Sequence, residues 1–410
     1  MRRLTSIRTF SSLSNGTFRL YYVGMAGQWA SMNMGMLARS YVTYVISDSG
    51  FVLGLAALAN AIPMIIFSLW GGAIADRIHK KYILLYGMIA SGITSAAVGV
   101  CLTLGYLSES IPNSWWILIV ASVIQGAIMG LMMPARQAII AEIVESKQLM
   151  NAISLNMMGM NTFRILAPAA SGFLMEAFGF ADIYYIMAGM YVFAAVCMYL
   201  MPRTAQKLSE GRSAWKDIID GFSHIRRKKT MLHILIFTLV SMICGMPFMQ
   251  LMPMITVDIL HVGEGGLGVL MSVSGGGAIV GSLLLASSPD RKRGLIMLVS
   301  GLIMALGLIG FGFSTVMWLS LVTVIFVGLG QAGNRGAGNT LAQAYTEPEY
   351  RGRVMSFMMM GIGLSSLGTF FAGILAEGVG IQWAIGGFAI IFAAVSVAYI
   401  VFSPRLRDLD

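Results

Sequence analysis

Gly72-Ala73-Ile74-Ala75-Asp76-Arg77-Ile78-His79-Lys80-Lys81 closes a long apolar run, and its small-x-x-x-Asp-Arg pattern returns 214 residues later as Ala286-x-x-x-Asp290-Arg291. Both copies end in a cluster of cations, and the placing of cations decides the fold. Of 27 Lys and Arg residues, Arg39, Arg164 and Arg335 lie inside long apolar stretches, and the other 24 gather in every second connecting segment counted from the N-terminus. The connectors between them carry none. Lys and Arg beside membrane-spanning segments stay on the cytoplasmic side during insertion. The alternation therefore predicts a polytopic membrane protein with both termini cytoplasmic.

Composition agrees. Charged residues make up 11% and hydrophobic residues 57% of the 410, whereas soluble domains carry about a quarter charged residues. Apolar runs of roughly 20 residues recur, the length that crosses about 30 Å of hydrocarbon. A soluble chain is excluded. The net charge of +9 follows from basic inner loops facing anionic lipid and gives no reason to expect nucleic-acid binding. Cys101, Cys197 and Cys244 lie in apolar segments in no metal-like spacing, so they read as structural thiols, and neither a metal nor a cofactor is expected. The first apolar run is too long for a signal-peptide core and is expected to remain as the first span.

With Gly, Pro and charge clusters as punctuation, twelve transmembrane helices are predicted at approximately 18–46, 51–75, 82–105, 115–135, 149–176, 182–201, 231–258, 264–287, 294–314, 317–343, 354–377 and 381–402. The longest inner connector divides the chain into an N-terminal six-helix bundle (1–201), a linker (202–230) and a C-terminal six-helix bundle (231–410). Within the linker Trp215, Ile218, Ile219, Phe222 and Ile225 recur at helical spacing after Ser213 and before Arg226–Lys229, predicting an amphipathic helix on the lipid surface. The halves repeat. Glu145 and Ser154 match Glu347 and Ser356 at an offset of 202, against 214 for the first pair of motifs. Extra residues in the first half are therefore expected, with the loop near Ser108–Ser114 as their place. Two parallel six-helix repeats are the architecture of one class of secondary transporter.

The Gly72–Lys81 string resembles the inter-helix signature of the major facilitator superfamily, G-x-x-x-D-R-x-G-R-K/R, with His79 in place of the usual glycine and Lys80 in place of the usual arginine. A second string runs from Pro134-Ala135-Arg136-Gln137 through Asn151–Asn156 to Arg164-Ile165-Leu166-Ala167-Pro168 and Gly172. With Tyr350–Ser356 it is similar to the branch of that superfamily containing enterobactin (siderophore) exporters and macrolide-type efflux pumps. The resemblance implies an all-α fold of two pseudo-symmetric six-helix halves in a bacterial cytoplasmic membrane. It also implies cytoplasmic gates at Gly72, Asp76, Arg77, Lys80 and Lys81, and at Asp290, Arg291, Arg351 and Arg353. A small residue at position 72 would let two helices approach closely, and Asp76 would pair across the half-interface. Pro168 and Gly172 read as a bend and close-packing point in the fifth span. Where many proton-coupled members carry an arginine three residues before Gln125-Gly126, this chain has Ser122.

A charge at mid-bilayer costs about 2.5 kcal/mol or more, so the three interior arginines need a reason. Arg39 is within reach of the outer surface by snorkelling, Arg335 is intermediate, and Arg164 is central. No Asp or Glu lies deep in any span. Arginines facing a water-filled cavity would favour anionic or hydrogen-bond-accepting cargo, such as carboxylate or catecholate siderophores and acidic amphiphiles; a purely structural tie to carbonyls or amides is the alternative. Helical spacing sets Gln28, Met32 and Arg39 on one stripe of the first span, Asn161 and Arg164 on the fifth, and Gln331, Asn334, Arg335 and Asn339 on the tenth. The spans that line the cavity in the resembling family add Gln125, Met129 and Gln250. Gly126-x-x-x-Gly130, Gly277-x-x-x-Gly281 and the Gly275-Gly276-Gly277 run read as close helix contacts or flex points.

The expected activity is secondary export of a small organic molecule by alternating access, with protons the family's usual coupling ion and the protein a monomer. Uptake, or lysophospholipid flipping by the same fold, is the alternative. An intramembrane enzyme would need a Ser/His, paired Asp or metal-ligand set at membrane depth, and the sequence offers none; a receptor would carry a soluble domain larger than the longest connector.

Overall fold

The computed structural model describes residues 8–202, 228–288, 291–347 and 350–409. Helices are the regular structure throughout these residues. After a short 3-10 turn (Arg8–Ser14) come α1 (Gly16–Ser47), α2 (Gly50–Arg77), α3 (Lys80–Thr103), α4 (Trp116–Ile143), α5 (Leu149–Phe178) and α6 (Phe180–Leu200). The second set is α7 (Lys229–Gly245), α8 (Pro247–Met254) with a π-helical turn at Ile255–Ile259, α9 (Gly263–Ser287), α10 (Arg293–Gly312), α11 (Met317–Ala344), α12 (Arg351–Val379), α13 (Ile381–Phe402) and the single turn α14 (Pro404–Arg407). The linker helix expected around Trp215–Ile225 lies outside the described residues.

The chain forms two compact units. One is built from the described parts of Met1–Ser47 and Ala59–Gly211, the other from those of Asp48–Leu58 and Arg212–Asp410. Helix α2 thus begins in the second unit and continues in the first. Its start is held there by the Glu377 carboxylate, which accepts hydrogen bonds from the Ser49 hydroxyl and, at 3.1 Å, from the Phe51 N–H. Backbones meet beside it: a Cβ on Gly373 would stand 2.2 Å from the Gly50 carbonyl oxygen.

Both glycine pairs predicted to mark close contacts do so. A Cβ on Gly126 would stand 2.1 Å from the Asn60 carbonyl oxygen and one on Gly130 2.5 Å from that of Met64, so α4 lies directly on α2. In the second unit Gly277 and Gly281 put α9 on α11, at 2.2 Å from the Ile325 and 2.4 Å from the Leu329 carbonyl oxygens. The core of the first unit is built on α1, whose Phe18, Tyr21, Met25 and Trp29 are wholly buried. Gly159 of α5 admits the Trp29 ring, because a Cβ there would approach the indole to 2.5 Å.

Four sequence expectations are adjusted. First, nine of the described helical segments are long and apolar enough to cross a membrane by composition, with Gly363–Val379 a shorter one. Helices α1 and α5 are 32 and 30 residues long but fall short in apolarity, and they are the helices carrying Gln28, Asn33 and Arg39, and Asn156, Asn161 and Arg164. Second, the seventh span is not continuous. It breaks at Met246, where Pro247 has no N–H to bond back and opens a new helix, and Pro253 precedes the π-helical turn. Third, α4 runs on to Ile143, which places Arg136 two turns inside a helix and not in the connector after it. Fourth, the close approach expected at Gly72 falls one residue earlier. No described residue lies within 4 Å of a Cβ built on Gly72, whereas one on Gly71 would stand 2.9 Å from the Gly130 carbonyl oxygen.

The twelve-residue mismatch between the halves is also accounted for. Helix α3 has 24 residues against 20 in α10, and the connector after it (104–115) is eight residues longer than its counterpart (313–316). The loop at Ser108–Ser114 lies within that longer connector, stitched by hydrogen bonds between the Ser114 hydroxyl and both backbone groups of Ser108.

Candidate functional site

In the first unit the predicted polar residues fall in two groups along α1. Toward its C-terminal end, Arg39 of α1 is in electrostatic contact with Tyr184 and Tyr191 of α6. Gln125 of α4 lies against the Tyr191 hydroxyl and donates to the Ser91 hydroxyl of α3 at 3.3 Å. Arg39 has no carboxylate partner among the described residues, and the groups in electrostatic contact with it are the two phenols. Nearer the start of α1, Gln28 is buried, with its Nε2 on the Met132 sulfur at 3.8 Å and its Oε1 without a partner among the described residues. One α4 turn past Met132, Arg136 is in electrostatic contact with the buried Tyr21 hydroxyl. Met32 and Met129 are partly buried along the same helices. Four helices therefore bring Arg39, Ser91, Gln125, Tyr184 and Tyr191 together, while Gln28 and Arg136 form a separate group further along.

Asn161 and Arg164 of α5 are exposed, and no described residue pairs with Arg164. They share a face with exposed Met157. Pro168 and Gly172 are buried one and two turns on, and α5 runs unbroken through both. Ser122, standing where proton-coupled relatives carry an arginine, is buried and donates to the Leu118 carbonyl at 2.7 Å.

In the second unit the helix break at Met246 is the focus. Gln331 and Arg335, one turn apart on α11, both reach the Met246 sulfur, at 3.6 Å from Nε2 and 2.6 Å from Nη2. Gln250 is partly buried one turn beyond the break and Asn339 is exposed. Asn334 faces elsewhere. It is buried, donates to the Met297 carbonyl at 3.1 Å and accepts from the Ser241 hydroxyl at 2.9 Å, tying α11 to α10 and α7. That amide is interhelical glue, so its four potential hydrogen bonds are largely committed.

At the motif end of the first unit, Lys80 and Lys81 are buried. Lys80 meets Glu142 of α4 at 2.5 Å. Lys81 donates to the Tyr199 carbonyl at 2.8 Å and to the Met201 carbonyl, at the C-terminus of α6, with the Tyr82 and Tyr199 rings each 5.9 Å away. A cation there complements the negative end of the helix. Both lysines thus brace their own bundle. Arg77 and Arg291 are exposed. Asp290 and the side chains of Asp76, Arg351 and Arg353 lie outside the described residues, although the backbones of the last three belong to α2 and α12.

Sequence reading missed Tyr184, Tyr191, Arg136 and Glu142. The tyrosines gave no signal, being aromatic in an apolar helix. Arg136 stands in the Pro134–Gln137 string, and it and Glu142 both fall within α4 once that helix is carried through Pro134 to Ile143.

Comparison with known proteins completes the picture. The family model described as Major Facilitator Superfamily matches residues 20–294 and 245–409. The chain is 22% identical over 387 residues, 93% of its own length and 94% of the relative's, to the staphyloferrin A transporter of Staphylococcus aureus. It is 28% identical over 128 residues, 31% of its length and 30% of the relative's, to the quinolone resistance protein NorA of the same species. Its fold is similar to a bacterial homolog of the human lysosomal transporter Spinster in an inward-facing, unoccupied conformation, with a TM-score of 0.74, 14% identity and 98% coverage of both chains. With this match spanning both halves of the chain, the protein belongs to the Major Facilitator Superfamily.

Proposed function

We propose that this transporter exports a small organic molecule carrying carboxylate, catecholate or other anionic groups, by alternating access. The observation that supports this reading most is the pair Arg39 and Arg164, two cations within long helices of the first unit that have no carboxylate partner among the described residues. A guanidinium placed among phenols, as Arg39 is, keeps its full charge and its planar fork of donors. Water or an anionic cargo group is then what offsets its desolvation. Gln331, Arg335 and the Met246 break in the second unit add donors beside a polarisable sulfur, the kind of surface that adapts to varied apolar bodies. The relatives' names point the same way, one to a siderophore and one to resistance against a drug. Protons are the coupling ion in this reading.

The test is flux in proteoliposomes. Carboxylate and catecholate compounds are compared with cationic ones, driven by an imposed proton gradient of either sign. Anion efflux is expected to fall about tenfold or more in Arg39→Gln and Arg164→Gln, the effect of losing one charge-assisted contact, with cation flux unchanged. Equal loss for anions and cations overturns the cargo class, and flux only in the inward direction overturns export. Asp76→Asn is expected to abolish transport with expression intact, because the gate reading rests on that carboxylate; wild-type flux overturns it.

A further inference from the structure

One cleft in the second unit plays no part in this reading. It occupies about 440 Å³ between the start of α7 and the end of α13, where the chain turns into α14. Its walls are apolar, formed by Ala398, the Tyr399 ring and Phe402, and Phe402 is 83% exposed. Its rim is polar, formed by Thr230, His233, Ser403 and Arg405.

The rim is held firmly. The Tyr399 hydroxyl meets His233 Nδ1 at 3.3 Å, with the two rings edge-on, and the Tyr399 ring also packs edge-on against Phe237 at 5.6 Å. Helix α14 is fixed to the start of α10: the Gly294 N–H donates to the Leu409 carbonyl at 3.0 Å. A Cβ on Gly294 would stand 1.7 Å from the Leu406 carbonyl oxygen, so only glycine permits this seat. Two arginines leave α14, and their fates differ. Arg407 pairs with Asp408 at 3.3 Å. Arg405 has no acidic partner among the described residues, and the hydroxyls of Thr230 and Ser403 donate to none of them. The rim therefore offers one guanidinium, one imidazole and two hydroxyls, each able to donate a hydrogen bond, above a slot of hydrocarbon.

We infer that this cleft holds an anionic phospholipid, with its phosphate on Arg405 and the neighbouring rim donors and one acyl chain along Ala398 and Phe402. The charge of the rim selects an anion, and a guanidinium fork matches phosphate oxygens. The position at the end of a membrane-spanning helix, beside a large exposed ring, selects a lipid over a soluble phosphate. Basic pockets between helix ends at the membrane surface recognise anionic headgroups in this way. The inference needs only the membrane-spanning fold and stands whether or not the cargo class does.

The test is native mass spectrometry of the full-length protein in detergent, titrated with phosphatidylglycerol, phosphatidylcholine or glycerol phosphate. Wild type is expected to retain phosphatidylglycerol roughly tenfold more tightly than phosphatidylcholine, the difference that one charge-assisted hydrogen bond supplies. Arg405→Gln with His233→Ala is expected to erase that preference, and Ala398→Trp, which fills the slot, to lower binding of both lipids. Arg407→Gln, whose arginine is already paired, is expected to bind like wild type. Unchanged melting temperatures show that the variants are folded; should the rim pair melt early, Ala398→Trp, on an exposed position, decides the matter. Wild-type preference in the rim variant, or undiminished binding in Ala398→Trp, overturns the site. Glycerol phosphate binding as tightly as phosphatidylglycerol overturns the lipid assignment.

Discussion

Among the described residues each unit shows a lysine–glutamate pair near its motif end, and the two pairs live in different physical worlds. Lys80 and Glu142 meet at 2.5 Å with side chains only 8% and 9% exposed. Lys228 and Glu347 meet at 2.6 Å with 41% and 53% exposed. Their geometries are nearly equal, so distance teaches nothing about strength here; dielectric does. A pair removed from water interacts strongly, but each member also depends on the other to offset its desolvation. A pair in water gains little and loses little. The first is a brace between α3 and α4, and the second decorates the start of α7.

The largest effect is expected from breaking the brace on one side. Glu142→Ala leaves Lys80 buried among apolar neighbours, a loss of about 3 kcal/mol, at the low end for a stranded buried charge because the lysine stem reaches toward the helix end. Thermal unfolding in detergent should show a clear drop in midpoint. Replacing both members, as Lys80→Met with Glu142→Leu, should recover most of it, since the stranded charge and not the lost attraction is the main cost. A double variant as unstable as the single one would show that the carboxylate itself, through a further contact, is what the fold requires.

A middle-sized effect separates two amides on one helix. Asn334→Ala removes a buried donor and acceptor that join three helices, and about 1–2 kcal/mol is expected in the same melt, given roughly 0.6 kcal/mol per interhelical hydrogen bond and the polar groups left unpaired. Asn339→Ala, five residues on and exposed, should leave stability unchanged. If Asn339→Ala alters flux while Asn334→Ala alters only stability, the sequence stripe resolves into one cavity-facing and one structural residue.

Much of this was legible in the sequence because insertion physics writes topology into cation placement. The helices themselves, the contacts at Gly126, Gly130, Gly277 and Gly281, and the surplus residues in the connector 104–115 all follow from charge, small-residue spacing and repeat offsets. What was hidden depended on direction. Spacing puts Gln331, Asn334 and Arg335 on neighbouring faces, but only packing turns Asn334 toward α7 and α10 and the other two toward Met246. The positive-inside pattern explains why Lys80 and Lys81 are basic, and it gives no hint that both are buried. Proline misled twice in opposite directions. The fourth span, predicted to end near 135 just past Pro134, continues to Ile143, and the seventh, predicted as one helix, breaks before Pro247. The difference lies in the neighbours: α4 packs closely on α2 through Gly126 and Gly130 just before Pro134, whereas Pro247, which has no N–H to donate, opens a new helix just after Met246, whose sulfur meets Gln331 and Arg335 of α11.

The smallest expected effect is the sharpest check on the comparison. Lys228→Met should change stability by less than about 1 kcal/mol, because water screens the exposed partners and two long side chains lose rotamer freedom to meet. Whatever it does contribute should fade as salt rises, since the Debye length shrinks from about 10 Å at 0.1 M to about 3 Å at 1 M. The buried Lys80–Glu142 pair lies largely out of reach of ions, so the Glu142→Ala deficit should persist at both concentrations. Measuring the two variants side by side at low and high salt therefore tests dielectric directly. If the Lys228 and Glu142 variants lose stability equally and both losses vanish in salt, burial is not what distinguishes the two pairs.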